Sequence, residues 1–318
     1  MKYAHVSGRA VTAALTTTAL LTLSGCGEGG ESAAAARTPA AMKVAGVTVK
    51  EDAKLHESLP DAVKKSGRVR VATDVPYAPF EMFVTEGEKE LTGLDYDLGQ
   101  AIGTRLGVKF AFTPQKFDGI VPAIQAGKFD VAMSAMTDNK ERQAVVDFVD
   151  YSVSGSGIMV VKGNPEKIIT LDDLCGKKVA VQAATNQLDL LRTHQKECEK
   201  AGGGEIGIQT FPKDSDAQLA LRANKVVAQV LTKPAAGWTA KTADGGKAFE
   251  VVDDPAASGG YSASPNGIAV SKKLPGLTDA IQKALQSLID DGTATKIFEK
   301  YGVASIAVKE ATRNAAVD

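Results

Sequence analysis

Histidine and cysteine, which often serve in acid–base and nucleophilic catalysis, are scarce in this 318-residue sequence, with three of each. Its three histidines are His5, His56 and His194, and no catalytic triad is evident around them. Hydrolytic or acyl-transfer chemistry needs a nucleophile beside an oriented base. The sequence therefore does not indicate an enzyme of that kind, although a carboxylate catalyst such as Asp74 stays open as an alternative.

The first of the three cysteines, Cys26, ends a segment typical of a secretory leader. Lys2 and Arg9 form a short basic region, and the apolar stretch 10–23 is shorter than the about 20 residues that a membrane-spanning helix needs. Small residues precede Cys26, as in a bacterial lipobox. We therefore expect residues 1–26 to be a lipoprotein signal peptide, with a lipid on Cys26 that anchors the chain to the outer face of the cell membrane. An ordinary leader with an incidental cysteine is the alternative.

The other two cysteines, Cys175 and Cys198, are expected to form a disulfide. An exported chain meets an oxidising environment, in which a pair of thiols tends to close. A bridge across this loop stabilises by roughly 3–4 kcal/mol in the chain-entropy model. A metal site is one alternative, but only His194 lies nearby and no C-x-x-C spacing is present. Two buried free thiols are the other alternative.

Charge and composition exclude some classes of partner. The formal net charge is −1 with both signs mixed along the chain, which argues against a nucleic-acid binder, because neutralising phosphates needs a basic surplus. Residues 27–60 begin with Gly, Glu, Ser and Ala, so we expect a flexible tether there. We expect neither a cofactor nor a metal.

From residue 61 onward, short apolar runs alternate with amphipathic segments. The predicted strands are 69–73, 108–113, 131–133, 158–161, 178–181, 206–211, 226–231 and 268–270. The main predicted helices are 94–106, 185–198, 215–223, 234–240, 277–290 and 293–301. This rhythm predicts two α/β sets with largely parallel strands. Two segments rich in small residues, 152–157 and 258–267, are expected to be paired crossover strands in which glycine permits a hinge.

Many short motifs lie in a fixed order along the folded part. They include Val71-Ala72-Thr73-Asp74, Tyr77-Ala78-Pro79-Phe80, Leu94-Asp95-Tyr96-Asp97, Phe117-Asp118-Gly119-Ile120, Glu141-Arg142, Leu171-Asp172-Asp173-Leu174, Lys178-Val179-Ala180-Val181-Gln182 and Asp291-Gly292-Thr293. In this order they resemble the family 3 extracellular solute-binding proteins, the receptors of polar amino-acid ABC importers. The resemblance covers roughly residues 64–303.

The resemblance implies a two-lobed, type II periplasmic-binding-protein-like α/β fold whose lobes are joined by two hinge strands. Lobe 1 is expected at 61–153 plus 267–305, lobe 2 at 154–266, and a C-terminal tail at 306–318. The implied function is capture of a polar amino acid or a close derivative between the lobes, by a monomer that delivers it to an ABC permease without catalysis. A ligand-sensing receptor and a dehydratase-like enzyme on the same fold are the alternatives.

The carboxylate end of such a ligand needs partners, because its hydration is lost in a closed cleft. Arg142 matches the family's carboxylate-binding arginine, and its planar guanidinium can bind two oxygens at once. A surface ion pair with Glu141 or Asp138 is the alternative. Thr185 and Asn186 begin a predicted helix, whose free N–H groups can bind the same carboxylate. An ordinary helix cap is compatible with that role.

Other ligand contacts follow from the resemblance. Tyr77 and Phe117 match the family's aromatic clamp, which sandwiches the aliphatic part of the ligand. Thr137 and the backbone carbonyl of Ala135 resemble the acceptors that lobe 1 offers to the ligand ammonium. Asp74, at the end of the first predicted strand, is expected to meet a side-chain amide or amine.

One position departs from the family's pattern. Thr232 stands where family members usually carry an aspartate that pairs with the ligand ammonium. Either Asp74 takes over the ammonium, or the ligand's cationic group is weaker, displaced or absent. Gln182 suggests a neutral polar partner for the ligand side chain.

Overall fold

The computed structural model describes residues 41–85 and 87–316. Within these ranges the strands are β1 (Ala41–Val44), β2 (Val47–Lys50), β3 (Arg68–Thr73), β4 (Met82–Phe83), β5 (Leu91–Thr92), β6 (Lys109–Pro114), β7 (Val131–Ala132), β8 (Val146–Val161), β9 (Lys178–Gln182), β10 (Gly207–Phe211), β11 (Ala228–Thr232), β12 (Phe249–Val251), β13 (Tyr261–Ser271) and β14 (Ala307–Arg313). The α-helices are α1 (Ala53–Glu57), α2 (Asp61–Ser66), α3 (Leu94–Arg105), α4 (Ile120–Gln125), α5 (Lys140–Gln143), α6 (Asn186–Lys200), α7 (Asp214–Arg222), α8 (Lys233–Thr242), α9 (Leu277–Asp290) and α10 (Thr293–Lys300). None of the described helices has the length and apolar character to cross a membrane. The predicted leader, its lipobox Cys26 and residues 27–40 lie outside the described residues.

The main sheet contains two parallel groups of strands. Its order is β10-β9-β11-β8-β13-β7-β3-β6, and β12 and β14 also pair with β8. In one group β3 pairs in parallel with β6 and β7. In the other, β9 pairs in parallel with β10 and β11. These are the two α/β sets that the sequence predicts, and they form the two lobes.

Two long antiparallel strands, β8 and β13, cross between the groups. The start of β8 pairs with the end of β13, and the end of β8 pairs with β11 and β12. Their backbones approach so closely at Gly155 that a Cβ there would collide with the backbone carbonyl of Gly260, the residue before β13. Gly260 itself has φ +92°, which side chains disfavour. The crossover strands are therefore present where the segments of small residues predict them.

Helix α3 shows how the sequence pattern fixes the core of lobe 1. Leu94, Leu98, Ile102 and Leu106 are all fully buried, as their four-residue spacing predicts. Burying each such side chain stabilises the fold by roughly 1.5–3 kcal/mol. Gly107, at φ 65°, follows the helix end and turns the chain into β6.

The tether prediction is wrong for residues 41–60, which are folded. β1 and β2 form an antiparallel hairpin that turns at Gly46, at φ 79°. Val44 and Val49 are buried in the core, and the N–H of Asp52 donates to the last carbonyl of α3 at 2.9 Å. Alternating apolar residues in both strands bury one face of the hairpin. The prediction failed because the Gly- and Ala-rich composition of the preceding residues was extended over this segment.

The C-terminal segment is also part of the fold as far as residue 316. β14 pairs antiparallel with β8. The Thr312 hydroxyl donates to Asp150 at 3.1 Å, and the Arg313 guanidinium donates to Asp147 at 2.9 Å. The expected tail is therefore corrected for its described part: residues Ala307–Arg313 form a strand that covers the lobe 1 end of a crossover strand.

The predicted disulfide between Cys175 and Cys198 is confirmed, with Cα atoms 5.5 Å apart. It joins the residue after a short 3-10 turn (Asp172–Leu174) to the last turn of α6. The bridge is present instead of the metal site or the free thiols that were the alternatives.

Candidate functional site

All ten predicted ligand residues line one cavity between the lobes. Lobe 1 contributes Asp74, Tyr77, Phe117, Ala135, Thr137 and Arg142, and lobe 2 contributes Gln182, Thr185, Asn186 and Thr232. The cavity measures about 20 Å³, which is room for about one water molecule. An amino acid therefore enters only when the lobes separate.

The lobe 1 wall is built from chain segments that follow β3, β6 and β7. Asp74 comes directly after β3, and Tyr77 lies in the loop beyond it. The Tyr77 and Glu81 backbones exchange hydrogen bonds of 2.7 and 3.1 Å, which fixes a tight loop. Phe117 begins a short 3-10 turn after β6. These aromatic side chains are half-buried, which suits contact with the aliphatic part of a ligand.

Arg142 lies on the one-turn helix α5, whose start is capped by the Asn139 side chain at 2.8 Å from the Arg142 N–H. Its guanidinium donates to the carbonyls of Thr137, at 2.7 Å, and Ala184, at 2.9 Å. The guanidinium carbon lies 5.4 Å from the centre of the Phe117 ring. These contacts use two of five donors and leave the others for a carboxylate.

The charge of Arg142 is not matched by an acid in direct contact. None of the ion pairs between described residues involves Arg142, so the alternative pairing with Glu141 or Asp138 is not formed. Burial lowers the pKa of Arg142 to about 10, against the opposing effect of Asp189 and its other acidic neighbours. A desolvated cation of this kind favours an anionic ligand group.

The lobe 2 wall presents neutral polar groups. Gln182 ends β9, and Thr185 caps α6 by accepting from the N–H of Leu188 at 3.3 Å. The Thr185 hydroxyl also donates to the carbonyl of Gln182 at 2.8 Å. Thr185 is thus the ordinary helix cap that the sequence allows. Asn186 is the first residue of this helix and Thr232 the last of β11.

Several of the predicted ligand groups are hydrogen-bonded to each other across the cavity. The Tyr77 hydroxyl lies 2.8 Å from the Thr232 hydroxyl and accepts from the Thr232 N–H at 3.0 Å. The Gln182 amide donates to Asp74 at 2.6 Å. Together with the contact of Arg142 to Ala184, these bonds join the lobes directly. A ligand has to replace them, so its own contacts must exceed theirs.

Sequence reasoning missed three residues that line the cavity, Glu81, Ser134 and Gln187. Glu81 is only 2% exposed and accepts from the Ser134 hydroxyl at 2.8 Å. Burial, and then the charge of Asp95, raises the pKa of Glu81 well above its usual value. The position of Glu81 directly after the Tyr77–Phe80 motif was the sequence feature that could have identified it as a cavity residue.

Asp95 fixes the backbone at one predicted ligand contact. It accepts from the Ala135 N–H at 2.7 Å and from the Tyr151 hydroxyl at 2.8 Å. Ala135 has φ 43°, a conformation that a residue with a Cβ adopts only when its surroundings hold it. Asp95, with its pKa raised to about 6 by burial, therefore holds the peptide that carries the predicted ammonium acceptor.

Acidic groups outnumber basic groups around the cavity. Burial raises the pKa of Asp74 and brings that of Asp214, which lies on α7 and is 4% exposed, to about 7. Asp214 accepts from Gln218 and Gln229, each at 2.6 Å. Among the described residues that line the cavity, half-buried Asp74 and buried Glu81 are the acids and Arg142 is the only cation. The buried Asp95 and Asp214 do not line it.

Comparison with known proteins agrees with this geometry. Residues 69–304 match the model of the bacterial extracellular solute-binding proteins, family 3. The chain is 31% identical to the arginine-binding protein ArgT of Corynebacterium glutamicum, over 80% of this chain and 81% of that one. It is 30% identical to the L-cystine-binding protein TcyJ of Escherichia coli, over 81% and 90%.

A solved structure shares the fold as well as the sequence. An ancestral arginine-binding protein bound to arginine is 37% identical and superposes with a TM-score of 0.64, over 74% of this chain and 98% of that chain. The family model covers most of the described residues, and the two-lobed fold is shared. The chain belongs to the family 3 bacterial extracellular solute-binding proteins.

Proposed function

We propose that this protein captures a cationic amino acid, such as arginine, lysine or ornithine, and delivers it to an ABC permease. The observation that carries the proposal is that, among the described residues, two acids, Asp74 and Glu81, line the cavity with one cation, Arg142. A zwitterion brings one negative and one positive charge, so a surplus of acids favours a ligand with a second positive charge. The arginine-binding relatives support the same ligand class.

The ligand carboxylate is assigned to Arg142 and to the start of α6. The guanidinium retains free donors, and Thr185 and Asn186 begin a helix whose first N–H groups attract an anion. Ala184, at φ 60°, turns the chain so that this helix start borders the cavity. The carboxylate then lies between lobe 1 and lobe 2 and stabilises the closed form.

The cationic groups of the ligand are assigned to the acids and to the neutral acceptors of the cavity wall. Asp74 and Glu81 both line the cavity, and the carbonyl of Ala135 with the hydroxyl of Thr137 can accept from an ammonium group. Thr232 offers one neutral acceptor in place of an acid. The ligand's α-ammonium is therefore assigned to these neutral acceptors, and its side-chain cation to Asp74 and Glu81, whose charged forms a bound cation favours.

Ligand capture and closure form one sequence of events. In the open form the ligand docks on Arg142, Tyr77 and Phe117 of lobe 1. Lobe 2 then closes and adds Gln182 and Thr232, together with the α6 start, while water is excluded. The ligand shifts the hinge equilibrium because it contacts both lobes only in the closed form.

The cellular arrangement is part of the proposal. A lipid on Cys26 anchors the chain to the outer face of the cell membrane. We assign 41–153 and 267–316 to lobe 1 and 154–266 to lobe 2. The monomer presents its closed form to the permease. A ligand-sensing role uses the same site and is distinguished by a neighbouring permease and ATPase gene.

A ligand panel tests the proposal. Thermal unfolding of the full chain is measured with arginine, lysine, ornithine, glutamine or glutamate at equal concentrations. The cationic ligands are expected to raise the midpoint most, because bound ligand at 100 times its Kd adds about 2.7 kcal/mol of stability. Glutamate is expected to raise it least. A larger shift with glutamate than with any cationic ligand would refute the assignment.

A further inference from the structure

A group of metal-binding side chains surrounds the disulfide, away from the ligand cavity. The donor atoms of Cys175, His194 and Cys198 all lie within 4.8 Å of one another. A carboxylate oxygen of Asp172 lies 3.0 Å from the His194 Nε2. Sulfur, imidazole nitrogen and carboxylate oxygen are the ligands that zinc takes in proteins.

The spacing of these residues along the chain resembles that of a structural zinc site. Asp172 and Cys175 are separated by two residues on a short turn, and His194 and Cys198 are separated by three on α6. Structural zinc sites typically combine a pair at C-x2–4-C with a pair at H-x3–5-H. Residues four apart on a helix lie on the same face, so both α6 donors point toward the turn.

The imidazole is positioned as an unsatisfied ligand. His194 Nε2 is buried and, despite its proximity to Asp172, has no hydrogen bond of acceptable direction with any described residue. Its side chain is 15% exposed and that of Asp172 is 85% exposed. The site therefore has a buried interior, formed by Cys198 and His194, and one flexible carboxylate at its solvent side.

We propose that, when the Cys175–Cys198 disulfide is reduced, Asp172, Cys175, His194 and Cys198 form a tetrahedral site for a zinc-type divalent cation. The chain between Cys175 and Cys198 is then cross-linked either by the disulfide or by the metal. The two cross-links exclude each other because both use the same sulfur atoms. The proposal is independent of which amino acid the cleft binds.

The chemistry balances with an external thiol or phosphine as reductant. Two electrons and two protons break the S–S bond and give two thiols, and the reductant is oxidised to its disulfide, or to a phosphine oxide with oxygen from water. Zinc then displaces both thiol protons, which pass to the buffer. It also takes the lone pair of His194 Nε2 and one Asp172 oxygen, since metal ligands must be deprotonated.

Cobalt substitution tests the site directly. The full chain, with Cys26→Ser to remove the remaining thiol, is prepared in detergent, reduced with a phosphine under nitrogen and titrated with Co²⁺. The reduced chain is expected to develop the absorption of tetrahedral cobalt–thiolate at one equivalent, and zinc is expected to displace it. The oxidised chain is expected to show none of this absorption.

Variants separate this site from incidental binding by thiols. Removing a residue that only hydrogen-bonds to a metal ligand typically lowers metal affinity about 10–100-fold. His194 is proposed to bind the metal directly, so His194→Ala should lower cobalt affinity at least ~100-fold. The exposed Lys196→Ala on the same helix should change nothing. No tetrahedral cobalt spectrum in the reduced chain, an equal spectrum in the oxidised chain, or unchanged affinity in His194→Ala would overturn the proposal.

Reduction could also unfold the chain, so a second measurement is included. If reduction removes the cooperative thermal transition, zinc is expected to restore it, because the free energy of metal binding adds to that of folding. The His194→Ala chain should not recover under the same conditions. If zinc does not restore the transition in the reduced chain that retains His194, the proposal is also overturned.

Discussion

The two walls of the interlobe cavity differ in charge. The lobe 1 wall carries Asp74 and Glu81, with Asp95 directly behind them, whereas the lobe 2 wall lines the cavity with neutral groups such as Gln182 and Thr232. Two lobe 2 acids lie near the cavity without lining it: Asp214 is hydrogen-bonded by two glutamine side chains, and Asp189 acts on Arg142.

This difference suggests that the lobes divide the work of recognition. Lobe 1 holds Arg142 as well as the acids, so it carries groups for both charged ends of a ligand. Lobe 2 contributes neutral hydrogen bonds that reach across the cavity, such as those from Gln182 and Thr232. We therefore expect the residues of lobe 1 to determine which ligand charge is bound. Both lobes are expected to stabilise the closed form.

Removing the lobe 1 cation should produce the largest effect. Arg142→Ala is expected to weaken binding of every amino acid roughly 100-fold or more, because truncating one partner of a buried charge pair typically costs about 2–5 kcal/mol. Isothermal titration measures the loss. Arg68→Ala, at the exposed far end of β3, is the matched control. Near-normal binding by Arg142→Ala would remove the proposed anchor.

Neutralising the lobe 1 acids should change the preference for arginine over a neutral ligand more than it changes affinity for all ligands. Asp74→Asn and Glu81→Gln are each expected to weaken arginine about 10-fold and its neutral analogue citrulline much less, since each step of 1.4 kcal/mol is tenfold. The exposed Glu88→Gln serves as control. Equal losses for both ligands would show that these acids position the wall without selecting charge.

The acids also predict a pH dependence. Burial raises the pKa of Asp214 to about 7 and that of Asp95 to about 6, and a bound cation favours their charged forms. As pH falls through these values the groups take up protons, so arginine affinity should fall between about pH 8 and about pH 5. Citrulline affinity should stay nearly constant. Parallel curves for the two ligands would contradict the electrostatic account.

Changing the neutral wall should have the smallest effect. Thr232→Val removes one hydroxyl bonded to Tyr77 but leaves the Thr232 N–H bond. Because the Thr232 hydroxyl is proposed to accept one hydrogen bond from the ligand, and a neutral hydrogen bond contributes about 1 kcal/mol, the affinity loss should be about fivefold for arginine and for citrulline alike. A loss confined to arginine would mean that Thr232 takes part in charge selection.

The sequence predicted the elements and most of the cavity, because both follow local patterns. The spacing of apolar residues predicted α3 and α9. The order of the family motifs predicted that Arg142 and Thr185 line the site. The folded state of residues 41–60 was missed because the two short strands around the Gly46 turn bury only one face. That face packs against core residues that lie elsewhere in the chain, so the local sequence gives no sign of it. The buried state of Glu81 depends on Asp95 and Ser134, which are distant along the chain.

The bonds that close the cavity were also beyond sequence reasoning. Tyr77 and Thr232 were expected to contact a ligand, but in the structure they bond to each other across the lobes. Such pairs depend on how the lobes approach one another, which is set by the crossover strands as a whole. Sequence patterns constrain each lobe separately and say little about this approach.

The central claim is that the lobe 1 acids select a positive charge on the ligand side chain. Arginine and citrulline have nearly the same shape and differ in that charge, so titrating the full chain with both near neutral pH tests the claim directly. We predict that arginine binds at least about 10-fold more tightly, equivalent to about 1.4 kcal/mol. Equal affinities, or tighter binding of citrulline, would contradict the account.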